Sequence, residues 1–158
     1  MTFNNIEEIK EEGFIGFKKM SELFLDSSIL PDNNGVYLVL NLDNKSAKFL
    51  KIGSGGYFKG KDPNISSAEL EANWVENTKV VYIGKATSLR SRLRDYFRFG
   101  QGKNIGHYGG RLIWQLEYSS DLVVCWKSLT TNPREFEVDL IKQFITLFGC
   151  RPFANLAN

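Results

Sequence analysis

The stretch Val80–Phe97 reads VVYIGKATSLRSRLRDYF, and its pattern predicts a β-strand followed by an α-helix. β-branched and aromatic residues fill Val80–Ile83, which is typical of a strand. Gly84 is expected to end this strand, because a turn of the backbone favours glycine. Thr87 or Ser88 can then cap the helix by accepting a hydrogen bond from a backbone N–H.

The apolar residues of this predicted helix recur four positions apart and form one stripe of Leu89, Leu93 and Phe97. Tyr96 lies beside the stripe and Arg92 lies on one flank of it. Three further arginines lie on the other flank, toward water: Arg90, Arg94 and Arg98. The junction of strand and helix therefore presents two phenols and two cations, a combination suited to a phosphodiester: Tyr82, Lys85, Arg92 and Tyr96.

The composition predicts one domain with a sizeable core, because 42% of the 158 residues are hydrophobic. No apolar run is long enough for a membrane span, and the N-terminus lacks a secretion signal. Two cysteines and one histidine favour neither a disulfide framework nor a zinc site. We therefore expect a cytoplasmic protein that has no membrane partner.

The charge is unevenly distributed, although the net charge is only +2. Residues 79–111 contain eight Lys and Arg against one Asp, a local charge of +7, so the remaining residues sum to −5. Such a basic segment attracts polyanions, but a solvated charged surface would have the same composition. The candidate nucleic-acid contacts are Lys59, Lys61, Arg90, Arg94, Lys103, His107 and Arg111. A lone loop histidine such as His107 is more often incidental than a phosphate contact.

Turn and cap residues divide the rest of the chain. Residues 1–34 are interpreted as an N-terminal extension with a short helix capped by Asn4 or Asn5. Gly35–Leu42 is apolar on both faces, which predicts a central strand. The remaining predicted elements are a possible strand over 47–52, a helix from Ser66 or Ser67 to Trp74, a short helix over 111–118, a strand over 121–127 and a long helix capped by Asn132 and ended by Gly149.

The segment Gly55–Lys61 imitates the phosphate-binding P-loop, which requires a Ser or Thr after the Lys. Asp62 occupies that place, and Pro63 blocks the helix that should begin there. A mobile basic loop that touches a phosphate backbone, or a plain surface loop, explains the segment better. No nucleotide cofactor is therefore expected.

Glu137 projects from the broad apolar face of the last long helix. A carboxylate in such a place costs several kcal/mol unless a cation or a metal meets it. One interpretation is a structural ion pair with an arginine. The other is a ligand for one hard divalent ion whose shell is completed by waters and phosphate oxygens.

Five motifs in this order resemble the GIY-YIG nuclease superfamily: Gly35-Val36-Tyr37; Tyr82-Ile83-Gly84-Lys85-Ala86; Leu89 with Arg92, Leu93 and Tyr96; Glu137 ahead of Leu140-Ile141-Lys142; and Arg151-Pro152 ahead of Asn155. Their spacing from Tyr82 to Tyr96 is similar to that in the nuclease domain of the bacterial excision-repair incision subunit. Together the motifs span residues 35–155.

The resemblance implies an α+β fold, an α/β sandwich with a small central antiparallel sheet flanked by helices. It implies a DNA endonuclease that uses a single Mg²⁺ or Mn²⁺ held by Glu137. Tyr37 would accept the proton of the attacking water, Lys85 would ease ionisation of that phenol, and Arg92 would stabilise the phosphate charge. Tyr82 and Tyr96 would position water or phosphate, and Asn155 would hold the site by hydrogen bonding.

Two features depart from the resemblance. More than forty residues separate Tyr37 from Tyr82, where a short hairpin is usual, so residues 43–79 form an insertion in a nuclease domain spanning 35–158. Besides, we expect no separate DNA-binding domain, and we expect the insertion and the extension to contact DNA. The alternative function is a nucleic-acid-binding module on the same scaffold that has no useful catalytic activity.

Overall fold

The computed structural model describes residues 1–156 and shows an α+β fold built on one antiparallel sheet. Its elements in chain order are α1 Ile6–Glu11, β1 Ile15–Lys19, α2 Met20–Leu25, β2 Gly35–Leu40, α3 Ser67–Asn73, β3 Val80–Ala86, α4 Leu89–Gly100, β4 Val123–Ser128 and α5 Pro133–Phe148. Short 3₁₀ turns cover Phe58–Gly60, Arg111–Gln115 and Ser119–Asp121. The strand order is β1-β4-β2-β3. The predicted fold class is confirmed; the proposed domain limit at 158 lies outside the described residues.

The sheet is covered on both faces, because its strands alternate apolar residues toward two separate cores. Tyr37 and Val39 of β2 face the first core, which also contains the apolar stripe of α4. Leu38 of β2 faces the second core, where Phe144 of α5 packs. All six residues of β2 are buried, so the strand predicted to be central is indeed central between β3 and β4.

The N-terminal segment 1–34 contributes a strand to the sheet rather than only packing on it. β1 pairs antiparallel with β4, and its register shifts between Gly16 and Lys18, where Phe17 has a positive φ of 54°. This bulge breaks the period-two alternation by which a strand is identified in sequence. The interruption explains why residues 14–25 show no clean period.

Two predictions about strand limits are wrong. β3 does not end at Gly84 but continues to Ala86, with Gly84 paired to Tyr37. Residues 47–52 form no strand in the described chain, and only Phe49 makes an isolated bridge, to Leu116. The segment Asp43–Ser46 does turn the chain, but the residues after it then follow the 3₁₀ turn at 111–115 rather than β2.

The predicted N-terminal caps are confirmed at four helices. A side chain accepts a backbone N–H at the start of each, from Asn5, Ser66, Ser88 and Asn132, and Gly149 ends α5 with a φ of 76°. Within residues 1–156, no helix has the length and apolar character that crossing a membrane requires.

Candidate active site and nucleic-acid interface

An open cleft of about 660 Å³ lies across the edge strand β3. Residues from both faces of the sheet reach it, because no further strand lies beyond β3 to separate the two sides. Six of the seven residues predicted for catalysis or metal binding line this cleft: Tyr37, Tyr82, Lys85, Arg92, Glu137 and Asn155. They come from β2, β3, α4, α5 and the C-terminal segment, so residues distant in sequence converge on one space.

Tyr37 and Tyr82 lie on the same face of the sheet because β2 and β3 pair in register, with Val39 opposite Tyr82. Their ring centroids are 5.9 Å apart in an edge-to-face arrangement. Burial raises the pKa of Tyr37 well above its usual 10 and that of Tyr82 to about 12. The interaction between the two side chains raises the pKa of Tyr37 and lowers that of Tyr82.

Gly84 makes the approach of β2 and β3 at the tyrosine possible. A Cβ at this position would lie 2.2 Å from Cζ of Tyr37, whose side chain is itself buried. The glycine therefore serves a close contact inside the strand, and not the turn that its place in the sequence indicates.

Lys85 and Glu137 form an ion pair at the border of the cleft, with 3.6 Å between Nζ and Oε1. The Glu137 side chain is only 16% exposed, and its burial raises the pKa of the carboxyl, while Lys85 and then Arg134 lower it. Lys85 alternates away from the tyrosine face of β3. The cation that lowers the pKa of Tyr37 is Arg92. Arg92 therefore favours ionisation of the Tyr37 phenol, the effect that was predicted for Lys85.

Tyr96 and His107 lie beneath the cleft rather than in its lining. The Tyr96 hydroxyl donates to the Gly110 carbonyl at 2.7 Å, and the Tyr96 ring packs on the His107 ring with centroids 4.6 Å apart. Both side chains are fully buried. Burial, helped by the charge of Arg92, lowers the pKa of His107 to about 4. The prediction that His107 contacts nucleic acid is therefore wrong, because no phosphate can reach a fully buried imidazole.

Asn155 acts on the backbone of β3. Its Oδ1 accepts from the Ile83 N–H and its Nδ2 donates to the Ile83 carbonyl, both at 2.9 Å. Ala154 N donates to the Val81 carbonyl at 2.9 Å in the same segment. The residue predicted to hold the site by hydrogen bonding thus holds the strand that carries Tyr82 and Lys85, and it makes no hydrogen bond to Tyr37.

Besides His107, the predicted nucleic-acid contacts separate into three groups. Arg111 lines the cleft, and both it and Lys61 lie over the Tyr108 ring, at 5.2 and 5.9 Å from its centroid. Arg90 and Arg94 instead donate to the Leu30 carbonyl and the Ser27 hydroxyl, away from the cleft. Lys59 and Lys103 are exposed and lie outside the cleft lining. Two of the three arginines on this face of α4 therefore bind the chain's own N-terminal loop.

Several cleft residues were not among the predicted site residues. Arg151 was named only as part of a motif. Its position three residues before Ala154 and four before Asn155, which also line the cleft, could have identified it as a site residue. Glu69 and Asn73 line the opposite wall from α3, inside the insertion. Gly55–Lys61 does not lead into a helix, since α3 begins only at Ser67, an arrangement unlike that of a P-loop.

The donor set of the cleft suits a hard cation held mostly by water. Within residues 1–156, no group of three or more His, Cys, Asp and Glu side chains is close enough to hold a metal. Mg²⁺ usually keeps several waters and takes one or two carboxylates together with substrate phosphates. The half-buried carboxylate of Glu137, opening on a cleft with room for a phosphate, fits that requirement. Zinc requires three or four His, Cys or carboxylate ligands from the protein, and the lining of the cleft does not match that requirement.

Comparisons with protein-family models, with curated proteins and with solved structures gave no match to this chain.

Proposed function

We propose that the protein is a metal-dependent nuclease that hydrolyses phosphodiester bonds of DNA in the cleft across β3. The observation that carries this proposal is the convergence of Tyr37, Tyr82, Arg92 and Glu137, which lie on four different elements, in the lining of one cleft. Two phenols, a fixed cation and a half-buried carboxylate around one space supply the groups that phosphodiester hydrolysis needs.

Arg92 binds a phosphate oxygen and stabilises the charge that develops on the pentavalent phosphorus. It projects from the second turn of α4, whose first residues are fixed by the Ser88 cap and by hydrogen bonds to Asn33 and Pro31. The same guanidinium lowers the pKa of Tyr37, so it favours the ionised phenol that proton abstraction requires.

The phenol pair accepts the proton of the attacking water. The resemblance to GIY-YIG nucleases points to Tyr37 as the base. The pKa of Tyr82 is raised to about 12 and that of Tyr37 well above its usual value, mainly by burial, and the interaction between the two side chains lowers the pKa of Tyr82, which points to Tyr82 as the better acceptor before substrate binds. We therefore assign the base function to the pair, and the ranking of Tyr37→Phe against Tyr82→Phe distinguishes its members.

Glu137 would hold the divalent ion, Mg²⁺ or Mn²⁺, which supplies positive charge that activates water and neutralises phosphate. Lys85 lies 3.6 Å from that carboxylate and compensates its charge until a divalent ion binds. Lys85 is 45% exposed and can turn toward a phosphate oxygen when the carboxylate binds a cation.

A nucleic-acid-binding module without catalysis is the second candidate. It is favoured by the deep burial of Tyr37 and by the pairing of Glu137 with Lys85, since both hold the site in an unreactive state. The cleft and its cations would be the same in either case.

The deciding experiment compares Glu137→Gln with Glu135→Gln in a DNA cleavage assay with Mg²⁺ or Mn²⁺. Glu135 is an exposed carboxylate on the same helix that does not line the cleft, so it is a matched control. We expect the Glu137 variant to lose at least about a hundredfold in rate, of the order of one lost electrostatic stabiliser, and the control to cleave normally. Binding of DNA by the wild type without any metal-dependent nicking would establish the binding module instead.

A further inference from the structure

A second groove continues the cleft along α5. It has a volume of about 460 Å³, and four residues line both it and the first cleft: Lys85, Glu137, Ile141 and Arg151. The two spaces therefore form one path, with Glu137 at their junction. The α5 groove is also lined by Arg134, Lys142, Val138 and Ile145.

The α5 groove is strongly cationic. Its charged side chains are four cations, Lys85, Arg134, Lys142 and Arg151, and the single carboxylate Glu137. Arg134, Lys142 and Arg151 are exposed. Within residues 1–156 none of these three has a carboxylate within 4 Å, while Lys85 is paired with Glu137. Unpaired cations along one groove create the positive potential that attracts a polyanion.

The spacing of these cations fits an extended phosphate backbone. Arg134 and Lys142 lie eight residues apart on α5, which at a rise of 1.5 Å per residue is about 12 Å. That length covers roughly three to four steps of a DNA strand at 3.4 Å per step. The apolar side chains in the lining, Val138, Ile141 and Ile145, offer contact area to sugars between the phosphates.

We propose that one strand of the nucleic-acid substrate leaves the catalytic cleft along the α5 groove, with its phosphates bound by Arg134, Lys142 and Arg151. The proposal rests on the proposed function for the kind of ligand, and it adds the direction in which the substrate lies. The arginine face of α4 does not serve this purpose, because Arg90 and Arg94 are bound to Leu30 and Ser27.

The test measures the affinity for a short DNA duplex, without divalent ions, over a series of salt concentrations. The double variant Arg134→Gln/Lys142→Gln removes two charges from the groove. The matched control Lys51→Gln/Arg98→Gln removes two exposed charges that line neither space. We expect the groove variant to lower the slope of log affinity against log salt by about 1.8, because each phosphate contact contributes roughly 0.9. The control should keep the slope of the wild type.

The outcomes separate the two proposals. If both variants behave alike while the wild type binds and cleaves DNA, the groove assignment is overturned and the nuclease stands. If the groove variant alone loses slope but the wild type never nicks DNA with Mg²⁺ or Mn²⁺, the groove stands and the nuclease fails. If the wild type does not bind the duplex, both are overturned. Should the double variant unfold, Lys142→Gln alone is expected to lower the slope by about 0.9.

Discussion

Gly84 is the residue on which the geometry of the tyrosine pair depends most directly. Its missing side chain lets the Tyr37 ring lie against the backbone of β3, next to Tyr82. A buried aromatic ring has no free space to move into, since interiors are close-packed. Strain introduced at this position must therefore reach the cleft.

We expect Gly84→Ala to destabilise the protein by about 1–3 kcal/mol, the usual cost of overpacking a core. Chemical denaturation of both proteins measures the difference. In the double variant Gly84→Ala/Tyr37→Ala the clash is absent, so the destabilisation should be smaller than the sum of the two single changes. Additive effects would mean that the methyl group is accommodated elsewhere than at Tyr37.

Among the elements, β3 is an edge strand of the sheet, and an edge strand leaves backbone groups without a partner strand. The segment after α5 supplies those partners, with Ala154 bound to Val81 and Asn155 bound to both polar groups of Ile83. The Phe153 ring fastens the segment by stacking on Phe49, with centroids 5.7 Å apart. The C-terminal segment thus acts as a short substitute strand that keeps β3 in place.

Asn155→Ala should cost about 1–3 kcal/mol in the free energy of unfolding, because it leaves the N–H and the carbonyl of Ile83 unpaired. Hydrogen exchange should show the Ile83 amide losing more protection than amides of β2. Asn73→Ala is the control, since the Asn73 side chain makes one local hydrogen bond on exposed α3 and its loss should change stability by less than about 0.5 kcal/mol. Equal protection of Ile83 in wild type and variant would contradict this role for the segment.

At the scale of the whole molecule, the cleft has catalytic candidates at its surface and a neutral aromatic layer beneath them. Tyr96, His107 and Trp114 pack under the tyrosine pair, and the imidazole has no exposed surface. Charging this histidine would place a cation in a low-dielectric layer near Arg92. The stability of the entire fold therefore depends on the protonation of one side chain.

The pKa of His107 falls from 6.5 to about 4 in the folded protein, so the unfolded chain binds more protons between these values. Stability should consequently decrease as the pH falls from 6.5 to about 4, by up to about 3 kcal/mol. The measurement is the free energy of unfolding of wild type and His107→Gln across this range. Other groups, including Glu137, contribute equally to both proteins, so parallel curves would refute the assignment.

Local patterns in the sequence determined most of the elements. The β2 strand, the α4 stripe and the caps of α1, α3 and α5 follow from neighbouring residues, because the periods of strand and helix and the needs of a helix terminus are local. The sequence also determines which functional groups the candidate site can contain. Six of the residues that the resemblance to GIY-YIG nucleases indicated line the cleft.

Other features were decided only by tertiary structure. β1 was not predicted, because its bulge breaks the alternation of apolar and polar residues. Gly84 allows close contact with Tyr37, which lies 47 positions away in the chain. His107 was turned from a loop residue into a buried one by packing on Tyr96. Arg90 and Arg94 were directed to the N-terminal loop. Within residues 1–156, Arg134 and Lys142 have no carboxylate within 4 Å, and both line the groove that Glu137 borders. The sequence specifies which groups exist, but burial and pairing depend on contacts between distant segments, and these exist only once the sheet has assembled.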